Sequence, residues 1–270
     1  MLLGLIGYPL GHSLSPIMQN RALQVLGLQG TYLPFAVTEE NLGSAVMGLK
    51  SLGCLGFNVT IPYKRKIIQY LDAVTPRAAE IGAVNLVYRE GQNYIGDNSD
   101  APGFIRSLEE KGIALKGKKA VIVGNGGAAR AVATGLRDSG ATIVVTSRQK
   151  PTAEFWQQFP WLGLKKDLVV AADLVIDCTP VGMYPDIDVP PVVDPRAYDK
   201  QTVFCDLVYN PRKTCLIKMA EATGHPTVTG EGMLLFQGAI SFEKWLAREA
   251  PIEVMREALQ ECLEGGKKND

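Results

Sequence analysis

Histidine is nearly absent from this chain: 270 residues contain only His12 and His225, far apart in sequence. That leaves little material for a zinc site or a Ser-His-Asp triad, and no metal is expected. The five cysteines, Cys54, Cys178, Cys205, Cys215 and Cys262, form no C-x-x-C and no metal-ligand spacing. They read as reduced, mostly buried small hydrophobes in a cytoplasmic protein. Neither sign of charge is in excess, with 28 Lys+Arg against 28 Asp+Glu. No broad basic field therefore points to nucleic acid or to an anionic membrane. Apolar runs nowhere approach the roughly 18 residues of a membrane span. The opening MLLGLIGYPLGHSLSP is apolar but lacks a basic segment, and glycines, Pro9 and His12 interrupt it. It reads as a buried first strand rather than a signal peptide. There is no internal repeat or low-complexity tract, and only the tail GGKKND reads as frayed.

What is present is an alternation of apolar runs with helical patterns, in a chain 46% apolar and long enough for two modest domains. The pattern predicts an α/β fold. LLGLIG, TYLPFAV and CLGFNV read as strands. Ser15 is expected to cap a helix, with Pro16 in its first turn and its end near Gly27. Thr38 is expected to cap a second helix running to about Ser51. A short helix spans Thr75 to Ile81, and AVNLVYRE and QNYIGD form a hairpin around Glu90-Gly91. A helix from about Asp100 to Lys111 leads into a second unit. KKAVIVG, ATIVVTSR, DLVIDCTP and TVFCDLVY are continuous apolar runs of the kind parallel strands have. PDIDVPPVVDP is a loop, and two amphipathic helices close the chain. The expected organisation is a mixed-sheet α/β domain over 1–100 followed by a doubly wound parallel-sheet domain over 101–237. Helices within 238–270 are expected to pack back onto the first domain, leaving a ligand cleft between the two.

The strongest chemical signal is Gly124-Asn125-Gly126-Gly127-Ala128-Ala129, after AVIV and at the opening of a helix. In this strand–turn–helix context G-x-G-x-x-A is a dinucleotide fingerprint. Gly124 permits the tight turn, Gly126 lets backbone approach a pyrophosphate, and Ala129 lets the helix sit close to the strand. Free N–H groups and the helix dipole favour the phosphates. A ligand-free glycine turn is the alternative. At the end of the next strand an NAD site usually carries Asp or Glu, but here the chain reads Thr146-Ser147-Arg148-Gln149-Lys150, with no carboxylate between Ser139 and Ala153. Arg148 with Lys150 nearby suits a 2′-phosphate, which favours NADP over NAD. Solvated loop charges are the bland reading.

Polar residues also stand where strand ends would present them: Ser13, Ser15, Asn58, Thr60, Lys64, Asn85 and Asp100. Singly, Asn58 could be a turn former, Ser15 an N-cap and Asp100 a helix cap. Together with the glycine turn they make the chain similar to the shikimate dehydrogenase family over almost its full length. The stretches that carry the resemblance are SLSP (13–16), NVTIPYK (58–64), GAVN (82–85), GDNSD (96–100), GNGGAAR (124–130), DLVYNP (206–211) and GMLLFQGA (232–239).

The resemblance implies a substrate domain, a Rossmann-type NADP domain, and reversible reduction of 3-dehydroshikimate to shikimate. It assigns Ser13 and Ser15 to the substrate carboxylate. Asn58, Thr60, Asn85, Asp100 and Gln237 fall to the ring hydroxyls and the reacting oxygen, and Tyr209 to the substrate side. Met233 falls against the nicotinamide, with Gly230 also on the cofactor. Lys64 and Asp100 would be the catalytic pair. An ammonium can supply both a proton and a positive charge to a developing alkoxide, and a carboxylate can orient it.

Four departures stand out. The family's N-T-D is Asn98-Ser99-Asp100, its usual Ala in the glycine turn is Asn125, and its N-R-T is Ser147-Arg148-Gln149. A second basic residue often found four positions past the Arg is Thr152 here, and Lys150 could substitute for it. Two other readings stay open: a quinate/shikimate dehydrogenase with relaxed or NAD preference, and a non-catalytic nucleotide-binding regulator. The partner expected is a small-molecule substrate, and the oligomeric state is left open, a homodimer included.

Overall fold

A computed structural model describes residues 1–11, 13–163 and 171–265. His12 and the tail beyond Gly265, both singled out in the sequence, lie outside the described residues. The chain divides into two compact units, Met1–Ser99 with Gln237–Asp270, and Asp100–Phe236.

The first unit is built on six strands: β1 (Leu2–Gly7), β2 (Thr31–Ala36), β3 (Gly56–Val59), β4 (Ala73–Val74), β5 (Leu86–Glu90) and β6 (Asn93–Asp97). Their order across the sheet is β2-β1-β3-β5-β6-β4. β2, β1 and β3 run parallel, whereas β3–β5 and β5–β6 are antiparallel, so the sheet is mixed as expected. The hairpin turns at Gly91, whose φ of 61° is the left-handed conformation that glycine adopts without steric cost. Helices α1 (Ser15–Val25), α2 (Leu42–Ser51) and α3 (Pro76–Ile81) follow the predicted segments. α3 is capped by Thr75, whose Oγ1 accepts from Ala78 N at 3.3 Å. Two caps differ. Ser15 is the first helical residue of α1 rather than its cap, which is Leu14 with no side-chain bond. Thr38 precedes a short 3-10 turn, Glu39–Asn41, and spends its hydroxyl on the Glu40 carboxylate at 2.7 Å instead of on backbone.

The second unit opens with α4 (Asp100–Glu110) and continues through β7 (Lys119–Val123), α5 (Gly127–Asp138), β8 (Thr142–Ser147), β9 (Trp161–Gly163), β10 (Leu174–Asp177), β11 (Val203–Asp206), α6 (Cys215–Ala222) and β12 (Thr227–Val228). All pairings are parallel, in the order β12-β11-β10-β7-β8-β9. Numbered within the unit this is the 3-2-1-4-5-6 order of a doubly wound sheet, with its switch point between β7 and β10. Ala120 and Ile122 pack in one core with Ala129, Val132, Ala133 and Leu136 of α5. Val121 and Val123 pack in another, with Phe204, Leu216 and Ala220. β7 is thus buried on both faces, which explains its unbroken apolar run.

α7 (Gly230–Leu246) and α8 (Ile252–Gly265) complete the chain, and within the first unit α8 packs on α1. No helix among the described residues is long and apolar enough to cross a membrane. All five cysteines are free; Cys54 and Cys205 are buried, but Cys178, Cys215 and Cys262 are only partly so. The expectation of mostly buried thiols therefore holds for two of the five.

Candidate active site

In the first unit the polar strand-end residues form one buried hydrogen-bonded network. Asn58, on β3, donates through Nδ2 to Asn85 O at 3.0 Å and to Ser241 Oγ at 2.9 Å. Its Oδ1 accepts from the Tyr32 hydroxyl at 2.9 Å. Both amide protons are thereby committed, so Asn58 can offer a ligand only the second lone pair of its oxygen. Asn85 lies just before β5 and takes Ser99 N on its Oδ1 at 2.7 Å, while its Nδ2 reaches Ser99 Oγ at 3.0 Å and Gln237 Oε1 at 3.5 Å. Ser241, one turn beyond Gln237 on α7, donates to Gln237 O at 2.8 Å and lies 3.3 Å from Ser99 Oγ. Asn58, Asn85 and Gln237 are thus brought together.

Ser13 and Ser15 stand side by side, Ser15 N donating to Ser13 Oγ at 3.4 Å. Burial raises the Tyr32 phenol well above its ordinary pKa, and a hydrogen bond with Ser15 works against that rise. Tyr32 therefore links the serine pair to Asn58. Tyr32, Ser99 and Ser241 are the network members that sequence reasoning left unassigned. Only Ser99 carried a signal, its place inside GDNSD; the other two are an ordinary strand tyrosine and a helix serine.

Thr60 and Lys64 bound the loop after β3. Thr60 N donates to Ile6 O at 2.9 Å, and Lys64 O accepts from Val84 N at 2.7 Å. The loop is pinned at both ends, and the Lys64 side chain is half-buried. Close by in sequence, Asp97 accepts from Arg77 Nη2 at 2.9 Å, the Thr75 hydroxyl and Asn98 N, while Asn98 Nδ2 donates to Ala83 O. These bonds fix the backbone that delivers Ser99. Asp100 is buried at the first residue of α4 and belongs to the second unit.

The second unit holds a cavity of about 680 Å³ at the C-terminal rim of its sheet. Gly124–Gly126 after β7, Ser147–Gln149 at the end of β8 and Cys178–Val181 after β10 line it. It therefore sits at the switch point, where doubly wound sheets bind ligands, and within the size range of small-molecule sites. Of the expected cofactor residues it collects Gly124, Asn125, Gly126, Ser147 and Arg148. Gly127 and Ala128 start α5 directly behind, and Lys150 follows as an exposed side chain. Gly230 and Met233 are buried on α7; Met233 packs in the unit's apolar core, and a Cβ on Gly230 would collide with the Leu207 carbonyl. Tyr209 is half-buried beyond β11, its phenol pKa raised by burial.

The cavity suits a dinucleotide. Gly124 has a φ of 104°, and a Cβ added to Gly126 would meet nothing within 4 Å, so the turn leaves an open approach to backbone N–H groups. Gly126 caps α5 without a side-chain bond, and the first turn holds no acid, which leaves the helix N-terminus available to an anion. Tryptophans brace the turn and the rim. Trp156 Nε1 donates to Asn125 O at 3.2 Å. Trp161 Nε1 donates to Ser147 Oγ at 3.0 Å, and that hydroxyl donates to Gln149 O at 2.7 Å.

A doubly wound sheet with an open glycine turn at its switch point, in a chain whose other unit carries a preformed polar network, is the architecture of a nicotinamide-dependent α/β oxidoreductase. Comparisons with known proteins narrow that class. Residues 5–87 match the shikimate dehydrogenase substrate binding domain and residues 230–260 the shikimate 5′-dehydrogenase C-terminal domain. Residues 114–194 match the NADPH-binding domain of acetohydroxy acid isomeroreductase. A shikimate dehydrogenase (NADP(+)) of Desulforamulus reducens is 41% identical, covering 97% of this chain and 96% of that protein. The crystal structure of a shikimate dehydrogenase in complex with NADP+ superposes with a TM-score of 0.91 at 41% identity, over 97% of this chain and 95% of that one. A shikimate 5-dehydrogenase from Thermus thermophilus in complex with NADP(H) and shikimate gives 0.89 at 34% identity, over 96% and 98%. The chain belongs to the shikimate dehydrogenase family.

Proposed function

We propose that this protein is an NADP-dependent shikimate dehydrogenase, interconverting 3-dehydroshikimate and shikimate in aromatic amino-acid biosynthesis. The observation that carries this reading is the end-to-end likeness to an enzyme solved with both NADP(H) and shikimate. NADPH, when bound, supplies the hydride. Gly124, Asn125 and Gly126, with Gly127 and Ala128 behind them, would hold its pyrophosphate on backbone N–H groups. Ser147, Arg148 and Lys150 would hold the 2′-phosphate, Gly230 would keep backbone close to the ligand, and Met233 would face the nicotinamide.

Ser13 and Ser15 would take the substrate carboxylate. Asn58, with only an acceptor site left, would receive a ring hydroxyl proton, and Thr60, Asn85, Gln237 and Tyr209 would complete the polar contacts. Because Asn58 and Asn85 are already locked by their neighbours, they meet the substrate without reorganising, and an analogue lacking a hydroxyl would leave buried groups unpaired. Lys64 would place its ammonium on the reacting oxygen, stabilising negative charge there and delivering a proton. Asp100 would orient that ammonium and pass the proton on. In the oxidation direction the same side chain would take the proton of the reacting hydroxyl. The setting is the cytoplasm.

The test is a spectrophotometric matrix of shikimate and quinate with NADP and NAD. Shikimate with NADP is expected to give the highest kcat/KM, and a quinate–NAD maximum would overturn the reading. Lys64→Ala should lower kcat by roughly 10²–10⁴-fold while leaving substrate KM nearly unchanged, because the group acts mainly in the transition state. Retained turnover would remove Lys64 from the mechanism.

A further inference from the structure

Two buried acids in the second unit have no part in the chemistry above. Parallel pairing of β10 with β11 sets Asp177 opposite Asp206. In-register residues on neighbouring strands point to the same face, about 4.8 Å apart. The two residues are 1% and 2% exposed. Their anchoring is unequal. Asp177 is bonded to one residue alone: its Oδ1 accepts from Thr179 N at 2.8 Å, and the Thr179 side chain hydrogen-bonds the same carboxyl. Asp206 is held twice, by Val208 N at 2.9 Å and by the Thr214 hydroxyl at 2.6 Å. Thr179 belongs to the Cys178–Val181 wall of the cavity, and its methyl lies 3.2 Å from where a Cβ of Gly124 would be. The bonds that Thr179 donates to Asp177 thus fix the wall that faces the glycine turn.

Among the described residues no opposite charge compensates the pair. β7, on the other side of β10, sets Val123 opposite Asp177. α6 packs on β11 with Lys218 and Glu221 exposed, and Glu221 is paired with Lys213. Glu231 at the start of α7 is paired with Arg212. Next to β12 the His225 ring meets Phe204, near the start of β11, edge-on at 5.0 Å. The adjoining thiols of Cys178 and Cys205 are pushed up by burial first and by the carboxylates second. Both acids are themselves raised, chiefly by burial: Asp177 above the usual carboxylate range and Asp206 to about 7, with the Asp177 charge contributing to the latter.

We propose that Asp177 is a positioning residue for the dinucleotide, fixing the Cys178–Val181 wall through the Thr179 N–H, with Asp206 as the neighbour that governs how firmly it does so. This inference rests on the dinucleotide reading of the cavity. With one proton between them the carboxyls attract and both loops are held. With both ionised, two like charges confront each other in a poorly screened interior. Asp177, tied to one residue where Asp206 is tied to two, is the partner that yields, and the cavity wall moves with it.

NADPH binding, read by quenching of tryptophan fluorescence, tests this. Trp156 is bonded to the cavity lining and reports on it. Titrations at about pH 6.5 and 8.5 compare the unaltered protein with Asp177→Asn and Asp177→Ala. Asn keeps an oxygen for Thr179, turns an N–H₂ towards Asp206, and cannot ionise. The Kd of the unaltered protein should rise about 5-fold between the two pH values, that of Asp177→Asn less than about 2-fold, and Asp177→Ala should bind about 10-fold more weakly at both. Titration of the 2′-phosphate is common to all three and cancels. Parallel pH dependence in the unaltered protein and Asp177→Asn, or normal binding by Asp177→Ala, would overturn the inference and leave the cofactor reading standing. Failure of the unaltered protein to bind NADPH at either pH would overturn both.

Discussion

Replacing Gly126 by alanine should separate cofactor binding from folding. Gly126 has a φ of −76° and a ψ of −171°, an extended conformation that alanine adopts freely. A Cβ there meets no protein atom within 4 Å, so it projects into open space in the cavity lining. Two small effects on stability oppose each other. Alanine is a poorer helix cap than glycine, by about 0.5–1 kcal/mol, whereas losing glycine's freedom in the unfolded chain contributes about 0.4–1 kcal/mol in the other direction. The melting temperature should therefore move by less than about 3 °C for a chain of this size.

Binding should respond differently. A phosphate kept from one backbone N–H loses a charge-assisted hydrogen bond of about 1.5–3 kcal/mol, or roughly 10–150-fold in affinity. Gly230→Ala is the contrast: its Cβ would collide with the Leu207 carbonyl. Forcing that contact should cost about 1–3 kcal/mol of stability, visible in the melt. The assays are the NADPH KM and a thermal melt of each variant. A Gly126→Ala enzyme with an NADPH KM within about 2-fold of the parent would refute the idea that the pyrophosphate lies over this turn.

Arg148→Gln should raise the NADPH KM by roughly 10–150-fold and leave the NADH KM nearly unchanged, because only the 2′-phosphate loses its charge-assisted partner; equal losses with both cofactors would remove Arg148 from that role. Asp206 makes stability depend on pH. Its folded-state pKa of about 7 lies above the ordinary 3.8, so the folded protein holds a proton that the unfolded chain releases. The stabilisation is complete below about pH 4 and is lost as pH rises through 7. Between pH 5 and 8 this one group removes about 3 kcal/mol of stability. Urea midpoints of Asp206→Asn should show a shallower decline over that range, and an unchanged slope would show that the acid is not buried as described.

Much of the architecture could be read from residue patterns. The double-sided burial of β7 demanded an unbroken apolar run, and the turn behind it demanded glycines; both demands are local and are written in adjacent residues. The hairpin at Gly91 and the short helix ending at Ile81 were legible for the same reason. The two- and three-residue strands β4, β9 and β12 are too short to show a period, and only the neighbouring strand makes them strands. Helix α6 was passed over in the same way, although its Thr214 cap is an ordinary start signal. Ser15 illustrates the opposite error: the residue type suited a cap, but the helix starts one residue earlier than that role requires.

The candidate site divides along the same line. Contiguous motifs named Lys64, Asn85, Gly124, Gly126 and Arg148, because a loop that must cradle phosphate or present a polar group at a strand end leaves its mark within a few residues. Tyr32, Ser99 and Ser241 became partners of Asn58 and Asn85 only when strand, loop and helix met in one buried space. Asp177 and Asp206, 29 positions apart, became neighbours through the register of β10 against β11. Backbone conformation and apolar periodicity are settled by local sterics and solvent, and a chain displays them along its length. Which polar groups share a hydrogen bond or a proton depends on contacts between distant segments, and those are settled by packing.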